Sequence, residues 1–543
     1  MRPYSARMWA SSALIISAAL SGTLLFSSFP KTHLFSLSWI ALAPLLIAIK
    51  GRTAAASGFA GLLCGAIFFL GIFDWILQVS GYTYLHHSLL ALYLGSSIGL
   101  FGLSYTLISK RLGFTASLAA APFFWTSIEY LRSNASFLAL PWGLLAHTQY
   151  QFPVIIQLSS VFGLWGVSFL VVAVNAGLSG VVLFAVAWVK PKLTELGNPW
   201  GHFKKPLAVT AVALLSFSVA FAYGYWKRGR TFEGQPLRLS IVQGSIEQNK
   251  KWDPAYAQYI MKRYRELTMA ASGDRPDLIV WPETATPSSV NRNPQLMREI
   301  QSLASDAGSP ILFGSAQVLK FGKRKADGAG SHNSAFLFDP GHASRPLQSY
   351  DKILLFPFGE YLPYKKVIPW SWIDIAELGS YTPGSEYKLF QINAEGFATT
   401  ICWENLFPDL VRQFVKKGAR FIVNITNEAR FGETAAPEQF LSMNVFRAVE
   451  NGVYVVRCSN TGISCFIDPC GRVVDRVKNN EGKDIFVSGF LTGEVVPLSS
   501  DTFYTRYGDW FPWLCIIVSA GFILTAIFSK RGEKPARHDI KSG

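Results

Sequence analysis

The chain has 543 residues, of which 50% are hydrophobic and only 16% charged; its mean hydropathy of +0.25 excludes an ordinary soluble enzyme of this size. The formal net charge of +15 does not indicate nucleic acid, because Lys and Arg gather at the ends of apolar runs and no basic-aromatic reading surface accompanies them. The six cysteines form no CxxC pair, and no His-rich ligand spacing appears, so no metal site is expected.

A bilayer core takes about 20 apolar residues per helix. Runs of that kind predict spans at 8–28, 34–49, 54–78, 87–109, 112–131, 164–189, 206–226 and 510–529. The first follows Arg2 and Arg7 as a signal peptide would. No small-x-small cleavage site comes after it, and it reads as a retained helix. The stretch 154–189 is long enough for two spans. One span is preferred, preceded by an interfacial helix "PVIIQLSSVFG" that carries Gln157, Ser159 and Ser160. Basic residues then fall on one side of the membrane: Arg2 and Arg7, Lys50 and Arg52, Lys110 and Arg111, Lys190 to Lys205, and the tail from Lys530. The positive-inside rule makes that side cytoplasmic and places both termini there. The expected organisation is a seven-helix transmembrane region over 1–229, an extracytoplasmic domain over 230–505, and a last helix with a basic cytoplasmic tail over 506–543.

The middle segment alternates strands and helices, the pattern of stacked α/β layers. Strands are expected at 237–244, 277–284, 311–318, 333–339, 349–357, 396–402, 421–427 and in "VYVVRCSN" (453–460). Helices are expected at 253–271, with Asp253 as N-cap and Pro254 at its first position, and at 294–308, 406–418 and 437–452. A hairpin follows in "GISCFIDPCGRVV".

Three strand ends carry side chains capable of chemistry. Glu283 lies in "VWPET", Lys352 in "YDKILLFPFGEYLP" and Cys402 in "FATTICWENL". Each has a plainer reading: a solvated carboxylate, a snorkelling lysine, a packed or disulfide-bonded cysteine. A helix beginning near Asn405 would set its N-terminal N–H groups beside Cys402 and favour the thiolate. A carboxylate, an ammonium and a thiol together suit acyl transfer: the thiol attacks a carbonyl, the carboxylate moves the proton, and the ammonium steadies the oxyanion.

The order WPE, YDK…PFGEY and C-W-E resembles the nitrilase superfamily. With the spans around it, and with "QGSIEQNKKWDP", "HNSAFLFDP" and "NITNEARFG", the chain resembles the bacterial apolipoprotein N-acyltransferase family over nearly its whole length. The resemblance implies an αββα sandwich on a bundle of about eight transmembrane helices. It implies Glu283 as general base, Lys352 as oxyanion stabiliser and Cys402 as nucleophile, with no metal or organic cofactor needed. Trp252, Asn333, Glu360, Tyr361, Trp403 and Glu404 would support the site or touch substrate. Trp403 and Arg430 depart from the family pattern, which often has tyrosine and tryptophan there. The implied partners are a phospholipid acyl donor and a diacylated apolipoprotein acceptor, served by a monomer in the bacterial inner membrane with its catalytic domain in the periplasm. A membrane-anchored amidase acting on small amides is the alternative. A transporter with a non-catalytic outer domain is a weaker one, since Asp74 and Glu129 are the few acids near the spans. "EYLPYKKVIPWSWIDIAEL" (360–378), rich in aromatic residues, is expected to be a lid at the membrane interface.

Overall fold

The computed structural model describes residues 4–30, 32–189, 199–319, 330–342, 347–364, 367 and 381–529. Each predicted span coincides with helical structure: α1 (Tyr4–Ser27), α2 (Ala43–Ile49), α3 (Ala54–Ile72), α4 (Tyr84–Leu112), α5 (Phe114–Ser133), α6 (Leu164–Val189), α7 (Pro199–Arg228) and, at the far end, α12 (Trp510–Phe528). Among the described residues, five helices are long and apolar enough to cross a membrane: α3, α4, α6, the Phe203–Arg228 part of α7, and α12.

The second span is broken between a 3-10 turn at Phe35–Trp39 and α2. Pro44 lacks an N–H, and Asn175 of α6 satisfies the break. Its Oδ1 accepts from the N–H groups of Leu42 and Ala43 at 2.8 and 3.2 Å, and its Nδ2 donates to the Ser38 carbonyl at 2.9 Å. Helices α3 and α4 meet through glycines: a Cβ on Gly65 would fall 2.6 Å from the Gly95 Cα, so only a hydrogen there permits the approach. Helix α6 is continuous, as the one-span reading requires. The polar stretch before it forms two short helical turns, Pro153–Ile156 and Ser159–Phe162, in which Val154, Ile155, Ile156, Ser159 and Ser160 are buried. Gln157 donates from there to the Cys470 carbonyl at 2.8 Å, across to the outer domain.

That domain holds two six-stranded sheets. The first runs β12-β1-β2-β3-β4-β5, with β1 (Leu237–Gln243), β2 (Leu278–Val280), β3 (Ile311–Val318), β4 (Ser331–Phe338), β5 (Gln348–Asp351) and β12 (Gly489–Val495). The second runs β11-β10-β9-β8-β7-β6, with β6 (Phe390–Ile392), β7 (Glu395–Ile401), β8 (Phe421–Thr426), β9 (Tyr454–Ser459), β10 (Cys465–Ile467) and β11 (Val473–Arg476). Each sheet has a parallel centre, β1-β2-β3 and β7-β8-β9, with antiparallel strands outside it. On the first sheet, α8 (Ala257–Ser272) and α9 (Pro294–Ala307) pack Ile260, Tyr264, Ile300 and Leu303 onto Val242, Ile279, Trp281 and Phe313. Alternate residues of the same strands, Leu239, Ile241, Val280 and Leu312, share a core with the second sheet, α10 (Pro408–Lys416) and α11 (Ala436–Asn451). The result is the expected αββα sandwich.

Every residue of α11 except the part-exposed Glu438 is buried, including Gln439, Asn444, Arg447 and Glu450. An amphipathic surface helix would leave one face wet. Here one face packs on the second sheet and the other on the membrane bundle, so the polar residues pair across the seam. Trp142 and Trp75 donate their indole N–H to Gln439 Oε1 at 2.7 and 3.2 Å, and Gln439 Nε2 donates to the Ile72 carbonyl at 3.0 Å. Tyr150 donates to Glu438 at 2.6 Å, and the Leu164 N–H to Glu450 at 3.0 Å. Sheet and bundle are thereby locked around one cavity.

Candidate active site

Each of the three chemical side chains leaves its strand sooner than expected. Strand β2 ends at Val280, and Glu283 follows Pro282 on the outgoing loop. Gly314 of β3 lets that loop come close: a Cβ there would lie 2.5 Å from the Thr284 nitrogen and 2.7 Å from the Glu283 Cα. Strand β5 stops at Asp351 because the next free N–H groups find another acceptor. Glu404 Oε1 accepts from Ile353 and Leu354 N–H at 2.7 and 3.1 Å and from the Tyr350 hydroxyl at 2.8 Å, while its Oε2 accepts from Ile401 N–H at 2.7 Å. One buried carboxylate thus ties together the two chain exits that carry Lys352 and Cys402. Burial pushes that carboxyl up to about 7, against the pull of its donors.

Cys402 sits on the corner after β7 with φ of 57°, in the left-handed region that disfavours a side chain. Thr284, next to Glu283, and Phe358, near Glu360, share this conformation at 43° and 67°. Such strain costs about 1–3 kcal/mol per residue and gathers where a fold over-determines a functional geometry.

The loops bring the groups onto one cavity of about 610 Å³. Glu283, Asn333, Lys352, Glu360 and Cys402 line its polar side; Trp75, Ile76, Val79, Tyr82 and Trp142 of the membrane bundle line the other. Lys352 Nζ donates to Glu360 at 2.9 Å and lies 3.8 Å from Glu283 Oε1. Asn333 Nδ2 bridges the acids, at 2.7 Å from Glu283 and 3.0 Å from Glu360. The Asn427 N–H donates to Glu283 Oε2 at 2.9 Å. Burial alone would pull the Lys352 ammonium down, but Glu360, Cys402 and Glu283 outweigh it and hold the group above its ordinary value. Burial pushes the Cys402 thiol up, and the Glu283 charge adds to this; Lys352 opposes them. The expected resting thiolate is therefore corrected to a thiol. The helix that was to favour the anion starts only at Pro408, with a 3-10 turn, Cys402–Leu406, before it.

A second hollow of about 210 Å³ shares Trp75, Ile76, Tyr82, Trp142, Phe356 and Trp403 with the first and extends it along Leu89, Leu90 and Tyr93 of α4. It is almost wholly apolar, whereas the first is polar where the acids and lysine meet.

Two family descriptions match the chain: the N-terminal domain of apolipoprotein N-acyltransferase over residues 21–177, and carbon-nitrogen hydrolase over residues 238–488. The apolipoprotein N-acyltransferase of Geobacter metallireducens is 34% identical over 516 residues, which is 93% of this chain and 94% of that one. The chain belongs to the apolipoprotein N-acyltransferase family. The relative from Chlorobaculum tepidum is 27% identical over 537 residues, 94% of this chain and 96% of its own. Among solved structures, an amidase of Nesterenkonia AN1 from the nitrilase superfamily aligns over 51% of this chain and 96% of its own, at 19% identity and a TM-score of 0.37. The outer domain has the nitrilase-superfamily fold, and the chain is a membrane protein of an acyltransferase family.

In this family member the supporting residues named from sequence divide. Trp252, Asn333, Glu360 and Trp403 line the cavity. Trp403 is fixed by donating to the Leu354 carbonyl at 2.6 Å. Glu404 is fully buried behind the wall and acts as a tether. Tyr361 is half-buried and turns its backbone, accepting from Phe358 N–H at 2.8 Å, and is not among the described residues that line the cavity. Most of the expected lid at 360–378 lies outside the described residues.

Sequence reasoning missed Lys251, 3% exposed, whose Nζ donates to the Glu283 carbonyl at 3.0 Å. Burial pulls it down to about 7, with Glu283 pulling the other way. Its neighbours in "NKKWDP" look like a solvated turn and give no signal. Trp75 and Trp142 were also missed as cavity wall; neither lies in a motif that marks it out, and only the fold brings the two together.

Proposed function

We propose that the chain moves an acyl chain from a membrane phospholipid, through a Cys402 thioester, to the α-amine of the S-diacylglyceryl cysteine that begins an apolipoprotein. The observation that carries this is the shared cavity, lined both by Glu283, Lys352 and Cys402 and by Trp75, Ile76, Val79, Tyr82 and Trp142 of the segments joining the membrane helices. A small-amide hydrolase has no use for that second lining; the apolar hollow beside it suits an acyl chain.

Glu283 takes the Cys402 proton as sulfur attacks the ester carbonyl of the donor. The Lys352 ammonium, kept charged by Glu360, stabilises the tetrahedral oxyanion. Glu283 returns the proton to the departing glycerol oxygen, and a lysophospholipid leaves. The acceptor amine then attacks the thioester. Glu283 removes the amine proton and restores it to sulfur as the amide forms. A thiol that rests protonated fits this order, because the base acts only when a carbonyl is in reach. The organisation into 1–229, 230–505 and 506–543, and the basic residues on one side of the helices, support a periplasmic catalytic domain with both termini in the cytoplasm.

Intact-mass analysis after incubation with phospholipid tests the reading. The expected result is one added acyl mass on the wild type, none on Cys402→Ala, and its discharge onto a diacylated peptide. No adduct on the wild type, or turnover of soluble amides without lipid, would sink it.

A further inference from the structure

Four charged residues line the large cavity: Glu283, Lys352, Glu360 and Arg430. Three of them satisfy one another. Lys352 lies within 3.8 Å of both acids, and Asn333 and backbone N–H groups of Asn427 and Phe356 take further carboxylate oxygens. Arg430, exposed at the rim, pairs with no carboxylate among the described residues. The acid closest to it in sequence, Glu428, is turned inward onto Arg457 and fully buried. The turn Ala429–Phe431 therefore divides its charges, with the acid spent inside and the base left at the cavity. Phe431 anchors the turn between Trp75 and Phe440, at ring distances of 4.8 and 5.9 Å, so the guanidinium stands where the catalytic wall meets the membrane bundle.

We propose that Arg430 recognises the phosphate diester of the acyl donor. This rests on the reading that a phospholipid is the donor. An uncompensated guanidinium at a half-dry mouth favours an anion, and its planar fork suits two phosphate oxygens. Glycerophospholipids that bear a headgroup, phosphatidylglycerol among them, carry that diester a few bonds from the ester to be cleaved. The lipid end of an S-diacylglyceryl cysteine carries no anion. Arg430 accordingly serves the first half-reaction and not the second.

The test is single-turnover acylation of Cys402 in the full-length enzyme in neutral detergent, followed by intact mass. The donors are phosphatidylglycerol and a diacylglycerol with the same chains and no phosphate. Arg430→Gln should weaken acylation from phosphatidylglycerol on the order of tenfold to a hundredfold, chiefly through KM, the range of one charge-assisted contact. It should leave acylation from diacylglycerol and discharge onto a diacylated peptide unchanged, and Arg430→Lys should restore part of the loss. Wild-type KM for phosphatidylglycerol in Arg430→Gln, or equal loss with both donors, would overturn the assignment while leaving the donor reading intact. Failure of the wild type itself to acylate from any phospholipid would overturn both.

Discussion

Replacing Gly314 by alanine probes how firmly the base is placed. The new Cβ would stand 2.5 Å from the Thr284 nitrogen, 2.7 Å from the Glu283 Cα and 2.7 Å from the Pro282 oxygen. All three are backbone atoms, so no rotamer change relieves the clash. To regain ordinary contact at 3.4 Å the loop must retreat by about 0.9 Å. Ladder bonds resist this, with Gly314 N–H donating to Pro282 O at 3.2 Å and Ala285 N–H to Gly314 O at 2.8 Å. Overpacking of this kind costs about 1–3 kcal/mol of stability. A base misplaced by that distance loses on the order of a hundredfold in rate. The assay is the acylation rate of Cys402 by intact mass, beside a thermal melt. Gly521→Ala in α12 is the control, since nothing lies within 4 Å of its Cβ position. Gly314→Ala acylating at the wild-type rate in a folded protein would refute the claim that Glu283 is held by this approach.

Three further outcomes follow from the site. Glu283→Gln removes a charge that raises the Cys402 thiol, so iodoacetamide should alkylate Cys402 faster at pH 7 while acylation from phospholipid is lost; slower alkylation would contradict the stated electrostatics. Glu404→Ala leaves three N–H groups and a hydroxyl without their acceptor and should cost about 3 kcal/mol or more, whereas Tyr350→Phe removes a single donor and should cost less; equal melting shifts would argue against a shared tether. Lys251 is drawn down to about 7 from an ordinary 10.5, so the unfolded chain holds its proton more tightly between those values and stability contributed here rises as pH climbs from 7 toward 10.5. Lys251→Met should flatten that rise in melting temperature, and an unchanged pH slope would count against a neutral buried amine.

The sequence by itself determined the eight helical segments, most of the strands of the outer domain and the three side chains capable of acyl transfer. Apolarity over about 20 residues and alternation along a strand are local properties, readable without knowing what lies opposite. Strands β6 and β12 escaped because short or half-exposed edges carry little pattern. The tertiary structure decided what these parts do to one another. Only the packing of one sheet on the other sets the Asn427 N–H on Glu283, 144 residues away. Only the seam between sheet and bundle buries both faces of α11, Glu438 alone staying part-exposed, and turns Trp75 and Trp142 into cavity wall. The same convergence makes Glu404 a tether and leaves Cys402 a thiol. Charge and burial act through space, and a residue's neighbours in space are fixed by packing rather than by its neighbours along the chain.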